Sequence, residues 1–302
     1  MIDVVARRYW YFALSLLIIL PGMAALAMWG LPLAIDFTGG SLLEVSFENA
    51  PPAPAEVLEL YRELGLEGAL VQTAGQSELV IRSREIDNER KLEILQALEA
   101  RFGGPVDEVR FELVGASIGA EVARRAAGAV GLAALGILLY ITFAFRGVSH
   151  AFRYGTAAIL AVLHDVAVVL GAGALFGRAF GWEVDALFLT ALLTVIGFSV
   201  HDTIVVFDRI RENRALYRRL DFPTLVNHSI VQTLDRSLNT QLTVLFTLLA
   251  LLLFGGVTTR HFVSILMIGV LSGTYSSIFN AAQILVVWEN REWETWFKRR
   301  SP

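Results

Sequence analysis

Long runs of apolar residues separated by short charged segments dominate this chain. The first run, Tyr9–Trp29, has 21 residues, which is enough to cross about 30 Å of hydrocarbon as a helix. Five further runs of comparable length follow, so the pattern predicts six transmembrane helices. The five later runs are Ala127–Phe145, Tyr154–Phe176, Asp185–Phe207, Leu238–Phe254 and Phe262–Trp288.

A polar segment between the first two runs has the patterns of a small α/β domain. Its alternating stretches predict strands at Leu42–Phe47, Ala69–Thr73, Glu78–Arg82 and Val109–Val114. Its amphipathic stretches predict helices at Pro54–Leu64 and Asn88–Phe102, and a turn at Gly75 joins the middle strands. The order β-α-β-β-α-β is that of a ferredoxin-like fold. The side chains expected to be buried are Val57, Leu58, Tyr61, Leu92, Leu95 and Leu98.

The distribution of Lys and Arg predicts the orientation in the membrane. Short segments on one side of the six runs carry 14 basic residues, against two in the opposite short loops. Because short loops rich in Lys and Arg stay in the cytoplasm, both termini are expected there and the α/β domain outside. The predicted segments are 1–8 (cytoplasmic), 9–30 (helix 1), 31–126 (outer domain), 127–288 (helices 2–6) and 289–302 (cytoplasmic).

Composition narrows the class of protein further. Of the 302 residues 55% are hydrophobic, and the mean hydropathy is +0.57, which excludes an ordinary soluble enzyme. The absence of cysteine excludes disulfides and thiolate chemistry. Residues 31–126 hold 17 acidic and 9 basic side chains, which argues against a nucleic-acid partner.

Two of the predicted helices carry an aspartate within an apolar run. Asp165 lies in AAILAVLHDVAVVLGAGALF and Asp202 in LFLTALLTVIGFSVHDTIVVF. A charged side chain at mid-bilayer costs about 2.5–3.5 kcal/mol on insertion scales, so such acids usually face a polar path or a partner. Each is therefore either a proton-binding group or a buried structural carboxylate.

Four long motifs resemble the SecF family of bacterial protein-export subunits. They are AIDFTGG at 34–40, GFSVHDTIVVFDRIREN at 197–213, VNHSIVQTLDRSLNT at 226–240 and GTYSSIFNAAQILVVW at 273–288. The resemblance runs over the whole chain, and the plan of one span, an outer domain and five spans is half that of a resistance-nodulation-division transporter. One departure is His201, because SecF motifs generally have asparagine before the acid.

The resemblance implies a function in protein export. It predicts a complex with SecD beside the SecYEG channel, in which the proton-motive force helps to complete preprotein export after the SecA ATPase has acted. SecA and the preprotein would then be indirect partners, and membrane lipids would surround the chain. It further implies a multi-pass protein of the bacterial inner membrane without a cofactor.

The resemblance also assigns candidate site residues. Asp202 would be the proton-carrying acid and Arg236 a functional arginine of the same relay, with His201 as a titratable neighbour of the acid. For Arg236 the alternative is an anchor that only follows the positive-inside rule. His164 and Asp165 form a candidate second relay station, since histidine titrates near neutrality. Equally, His164 holds Asp165 in place through a hydrogen bond.

Three residues, Asp36, Gly39 and Gly40, open the outer domain. The resemblance places them at the junction between membrane and domain, although Asp and Gly-Gly are also typical of a tight turn. In the last run, Gly269 and Gly273 form a GxxxG step, which allows close helix packing within the chain or with a partner. The same run is polar enough to face the protein core or SecD, with Ser272, Thr274, Ser276, Ser277, Asn280 and Gln283.

Other functions fit the pattern less well. A half-transporter that exports small molecules or lipids would need an apolar, cleft-forming outer domain, and the acidic segment 31–126 is small for that. A passive scaffold that only stabilises the complex is the third hypothesis, and export by an Asp202→Asn variant with and without a proton gradient would distinguish it. No phosphate-binding loop, metal-ligand spacing or nucleophile motif is present, so an enzyme is not expected. The adjacent pairs His164–Asp165 and His201–Asp202 diverge on a helix, unlike i, i+4 metal ligands.

Overall fold

The computed structural model describes residues 3–48, 50–74, 77–148 and 150–296. Six helices in this part of the chain are long and apolar enough to cross a bilayer, as predicted. In chain order the elements are a 3-10 turn Val5–Arg7, α1 Arg8–Trp29, α2 Ile35–Thr38, β1 Gly40–Phe47, α3 Pro54–Glu63, β2 Leu70–Ala74, β3 Glu78–Ser83, α4 Asn88–Phe102, β4 Val106–Val114, α5 Ala116–Ala144, α6 Ala151–Phe180, α7 Ala186–Leu216, α8 Phe222–Phe254, α9 Val257–Ser276, a π turn Ser277–Ala281, α10 Ala282–Glu289 and α11 Trp293–Trp296.

Residues Pro32–Gly128 form a compact unit of their own. Its sheet has the strand order β2-β3-β1-β4, with every neighbouring pair antiparallel. Helices α3 and α4 pack on the sheet face that carries Leu43, Val45 and Ile81. This is the predicted ferredoxin-like arrangement. The predicted turn at Gly75 lies outside the described residues.

The core of this unit corrects one predicted residue. Leu98 is fully buried, as expected, and Leu95 is partly buried, but Leu92 is 55% exposed. The prediction for Leu92 was wrong because the buried stripe of α4 runs through Ile94 and Leu98, one turn apart. Leu92 precedes Ile94 by two positions and therefore lies on the opposite side of the helix.

Small residues bring the membrane helices together in the second unit, Met1–Leu31 with Ala129–Pro302. A Cβ atom on Gly22 of α1 would lie 2.8 Å from the Cα atom of Gly171 on α6. A Cβ atom on Gly269 would overlap the Val195 side chain, and one on Gly273 would lie 3.3 Å from the Ser199 Cα atom. The GxxxG step of α9 therefore packs against α7 within the chain.

The membrane helices extend beyond the predicted apolar runs at their charged ends. Helix α8 begins at Phe222, where Asp221 accepts a hydrogen bond from the Thr224 N–H at 3.1 Å, although its apolar run starts only at Leu238. Hydropathy marks where apolar residues end, whereas hydrogen bonding and the cap determine where the helix ends. As a result Arg236, expected at the cytoplasmic start of the fifth span, lies within α8.

Ion pairs join the ends of several membrane helices. Glu289, at the end of α10, accepts hydrogen bonds from Arg153 at 2.6 Å and from Arg214 at 3.0 Å. Glu292 accepts two hydrogen bonds from the Arg8 guanidinium, at 2.7 and 3.0 Å. These contacts tie the end of the chain's last membrane helix to α1, α6 and α7.

Candidate functional site

Asp202 lies in the buried seam between α7 and α8. It is about 24 Å along the axis of α7 from Ala186 at 1.5 Å per residue, and it is 4% exposed. The hydroxyl of Ser237 on α8 donates a hydrogen bond to Asp202 Oδ1 at 2.7 Å. Asp202 Oδ2 is buried and has no hydrogen-bond partner in the described part of the chain. One carboxylate oxygen is thus fixed, and the other remains available to bind a proton.

Two more buried oxygens lie near this carboxylate along the same helix faces. Ser199 Oγ and Gln241 Oε1 are both buried without a partner among the residues described. Ser199 precedes Asp202 by three residues on α7, and Gln241 follows Ser237 by four on α8, so each lies about one turn away. Buried polar atoms normally have partners. Ser199, Asp202 and Gln241 therefore each contribute a buried oxygen that no described residue satisfies.

His201 and Arg236 do not reach the Asp202 carboxylate. Both side chains are exposed, and neither forms a hydrogen bond or ion pair with any residue that the structure describes. They immediately precede the two hydrogen-bonded residues, His201 before Asp202 and Arg236 before Ser237. Adjacent positions on a helix point about 100° apart, so these side chains lie on the outer surface of the seam.

Asp165 is held in a closed polar site between α6 and α9. It is fully buried, and both of its oxygens have partners. Ser272 donates to Oδ1 at 2.6 Å and Ser276 donates to Oδ2 at 2.6 Å. His164 Nδ1 lies 3.0 Å from Oδ1, so the structure brings His164 and Asp165 together as the sequence suggested. His164 Nε2 is buried and lacks a partner among the described residues.

The hydroxyl partners of the two acids were missed at the sequence level. Ser272 and Ser276 were recognised only as polar residues of the last span, and Ser237 was not singled out. Their spacing carried a signal, since Ser272 and Ser276 are four residues apart and share one helix face. In the structure this face contacts Asp165 on α6. Which helix it would meet depends on the packing and could not be predicted from the spacing.

The predicted junction motif forms a tight backbone turn within the small unit. Asp36 lies on the one-turn helix α2, and Gly39 and Gly40 have φ angles of 74° and 121°. A Cβ atom on Gly40 would lie 2.6 Å from the Ser83 carbonyl oxygen. Only glycine has both the required conformation and the required size at these positions. The structure thus supplies a local backbone reason for the two glycines.

The two buried acids differ in what they can do chemically. Asp165 has partners on both oxygens, whereas Asp202 has one buried oxygen without a partner in the described part of the chain. Within the described ranges, no three His, Asp or Glu side chains are grouped closely enough to hold a metal ion. Asp202 is thus the acid whose carboxylate has an oxygen not engaged by any described residue.

Comparisons with known proteins agree with this architecture. The family model described as protein export membrane protein SecD/SecF, C-terminal, matches residues 94–291, and the SecD/SecF GG motif matches residues 26–51. The protein translocase subunit SecF of Anaerolinea thermophila is 56% identical over 99% of this chain and 98% of its own length. The SecDF subunit of Thermus thermophilus is 40% identical over 87% of this chain and 35% of its own.

A solved structure has the same fold. The crystal structure of SecDF, a translocon-associated membrane protein from Thermus, matches 96% of this chain with a TM-score of 0.83 and 36% identity. The chain spans only 39% of the length of that protein.

The fold and the buried acids thus define a multi-pass membrane protein of six helices with an inserted ferredoxin-like domain. By family models, sequence relatives and fold, the chain belongs to the SecF family of SecD/SecF protein export membrane proteins.

Proposed function

We propose that this chain is an accessory subunit of the Sec preprotein translocase. Together with SecD, it uses the proton-motive force to complete preprotein export after the ATP-dependent step of SecA. The observation that carries this proposal is Asp202, a buried membrane carboxylate with one oxygen held by Ser237 and the other without a partner in the described structure. Such a group can bind and release a proton on one oxygen while the hydrogen bond from Ser237 holds the other oxygen in place.

The energetic scale of the membrane potential supports this role. A charge that crosses the field gains about 2.3 kcal/mol per 100 mV, so a few protons suffice to drive a change in a domain outside the membrane. In this proposal Asp202 binds the proton, and the exposed His201 and Arg236 next to the seam bias its release. His164 and Asp165 form a second station deeper within the helix bundle.

The exposed residues around Asp202 support SecD as the partner. The hydroxyls of Thr190, Thr194 and Thr243 bond to carbonyls of their own helices at 2.7–2.9 Å, so lipid can cover them. His201 and Arg236 have no such bond in the described structure. A polar helix of a second membrane subunit would supply partners for both side chains. In the Thermus SecDF chain, the part that matches this chain is 39% of the whole, and the rest belongs to the same polypeptide.

The proposal also includes the membrane in which the chain lies and its orientation there. The excess of Lys and Arg, 14 against two in short loops, supports cytoplasmic termini and an outer α/β domain in the bacterial inner membrane. The outer domain then acts on the far side of the SecYEG channel, where preproteins emerge, while lipids surround the exposed apolar helix faces.

Replacing Asp202 by Asn tests the proton role. Membrane vesicles that contain SecYEG, SecD and the variant chain are supplied with SecA, ATP and a radiolabelled preprotein, and the completed export is measured with and without a proton gradient. We expect the wild type to gain from the gradient and Asp202→Asn to lose that gain, with the ATP-dependent export unchanged.

Asp208→Asn is the matched control, because Asp208 lies on the same helix but is exposed and pairs with Arg211 at 2.5 Å. It should keep the gain from the gradient. If Asp202→Asn responded to the gradient as the wild type does, the chain would be a passive scaffold of the complex and the proposed proton role would be wrong.

A further inference from the structure

Two neighbouring serines where α9 ends contact Asp165 directly and, beside the second acid, two residues that flank Asp202. Ser276 Oγ donates to Asp165 Oδ2 at 2.6 Å, which fixes α9 to α6. Ser277 Oγ lies 2.9 Å from Thr203 Oγ1 and 3.0 Å from the Ser199 carbonyl oxygen, which fixes the next residue to α7. Thr203 and Ser199 flank Asp202 on its helix. All of these residues, including both acids, are at most 4% exposed.

The backbone at this point is built to hold both serines. Ser276 ends α9 and Ser277 begins the π turn Ser277–Ala281, a wider turn of a kind often found at functional sites. Both hydroxyls also reach one carbonyl oxygen, that of Gly273, at 3.2 Å from Ser276 and 2.8 Å from Ser277. Asn280 in the same turn bonds to Ser15 of α1 at 2.9 Å. The turn is therefore fixed to three other helices by polar contacts.

The shared carbonyl makes the two serines depend on one another. While Asp165 is charged, Ser276 donates to it. When Asp165 gains a proton, that acceptor weakens and the Ser276 hydroxyl turns to the Gly273 oxygen 3.2 Å away. Ser277 then donates to the Ser199 carbonyl instead, which alters the hydrogen bonds beside Asp202. Chains of hydroxyls in a low-dielectric interior polarise each other in this way.

We infer that Ser276 and Ser277 couple the proton occupancy of Asp165 to that of Asp202. The two serines are positioning residues, since no proton has to pass through them. The inference rests on the proposed proton binding at Asp202. The other titratable or charged groups around these acids in the described structure are His164, which contacts Asp165, Tyr275, whose ring lies 6.0 Å from that of His164, and His201 and Arg236 on the outer surface of the seam.

Infrared titration of the full-length chain in a complex with SecD tests the coupling. The carboxyl band that disappears in Asp202→Asn belongs to Asp202, and its titration midpoint is then followed in Asp165→Asn. We expect the proton affinity of Asp202 to change about five-fold or more when Asp165 is replaced. In chains that also carry Ser277→Ala, this change should fall below two-fold, and Ser277→Thr should restore it.

Thr274→Val is the control, because its hydroxyl bonds only to the Val270 carbonyl of its own helix at 2.9 Å. It should leave the coupling intact. If Ser277→Ala fails to fold, Thr203→Val removes one of the two contacts of Ser277 with α7, that with Thr203 Oγ1, with little change in volume, and should reduce the coupling. A titrating Asp202 that ignores Asp165, or whose response survives Ser277→Ala, overturns the coupling and leaves the proposed function standing. An Asp202 that never titrates overturns both.

Discussion

At the scale of single residues, the two buried acids of the membrane helices differ in how many of their oxygens have partners. Asp165 and Asp202 are both buried aspartates of membrane helices, yet the first accepts three bonds and the second only one. Both oxygens of Asp165 are thus held by neighbouring side chains, whereas only Oδ1 of Asp202 is. The unpartnered oxygen is the reason that Asp202 is proposed as the proton carrier.

Glu292 gives a residue-scale prediction outside the membrane. Burial alone would raise its pKa, but hydrogen bonds from Tyr9 at 2.7 Å and from Arg8 outweigh burial and hold the pKa below its ordinary value of 4.5. A lowered native pKa stabilises the fold above the unfolded-state pKa, and this contribution disappears as the pH falls through the native value. The wild type should therefore exceed Glu292→Gln in stability above about pH 4.5, and the gap should close at lower pH.

Thermal unfolding of the detergent-solubilised protein at a series of pH values measures this gap. Glu294→Gln is the control, since the Glu294 side chain is 53% exposed and its ion pair with Arg291 is long, at 3.7 Å. Its gap to the wild type should stay small at every pH. A gap for Glu292→Gln that is constant down to about pH 3 would mean that the ion pair with Arg8 does not stabilise the fold.

At the scale of elements, helix ends depend on their caps. Asp87 precedes α4, and its Oδ1 atom accepts a hydrogen bond from the Arg90 N–H at 2.8 Å. Loss of such a cap costs about 1 kcal/mol. We expect Asp87→Ala to lower the free energy of unfolding of a soluble fragment of residues 32–115 by about this amount, measured by urea denaturation. Asp107→Ala, exposed on β4, should cost less than about 0.5 kcal/mol, and equal effects would contradict the capping role.

The elements also show how far the sequence could be interpreted. Helix α4 was predicted with its observed ends, because Asp87 and Gly103 mark them in the sequence. Helix α8 was predicted too short, because its first turns are amphipathic rather than apolar. The pairing of Ser237 with Asp202 and of Ser276 with Asp165 depends on which faces of different helices meet. No periodicity within one helix contains that information, so only the packing reveals these contacts.

At the scale of the whole molecule, the chain leaves a polar surface that lipid cannot satisfy. His201 on α7 and Arg236 on α8 are exposed on neighbouring helices, at the level fixed by the bond between Asp202 and Ser237. An arginine in contact with hydrocarbon costs about 2.5–3.5 kcal/mol even on insertion scales. A partner subunit that offers acceptors there recovers part of this cost. The proposed proton site is then completed only in the complex, which joins assembly to function.

Arg236→Ala tests this last step. We expect the variant to weaken the association with SecD by about tenfold, which corresponds to about 1.4 kcal/mol, in co-purification from detergent at graded protein concentrations. Arg218→Ala is the matched control, because Arg218 is equally exposed but lies in the loop between α7 and α8, away from the seam. The isolated Arg236→Ala chain should be no less stable than the wild type, since it loses an unpaired charge. If Arg236→Ala binds SecD as tightly as Arg218→Ala does, Arg236 only anchors the helix at the membrane surface, and the partner must contact another face.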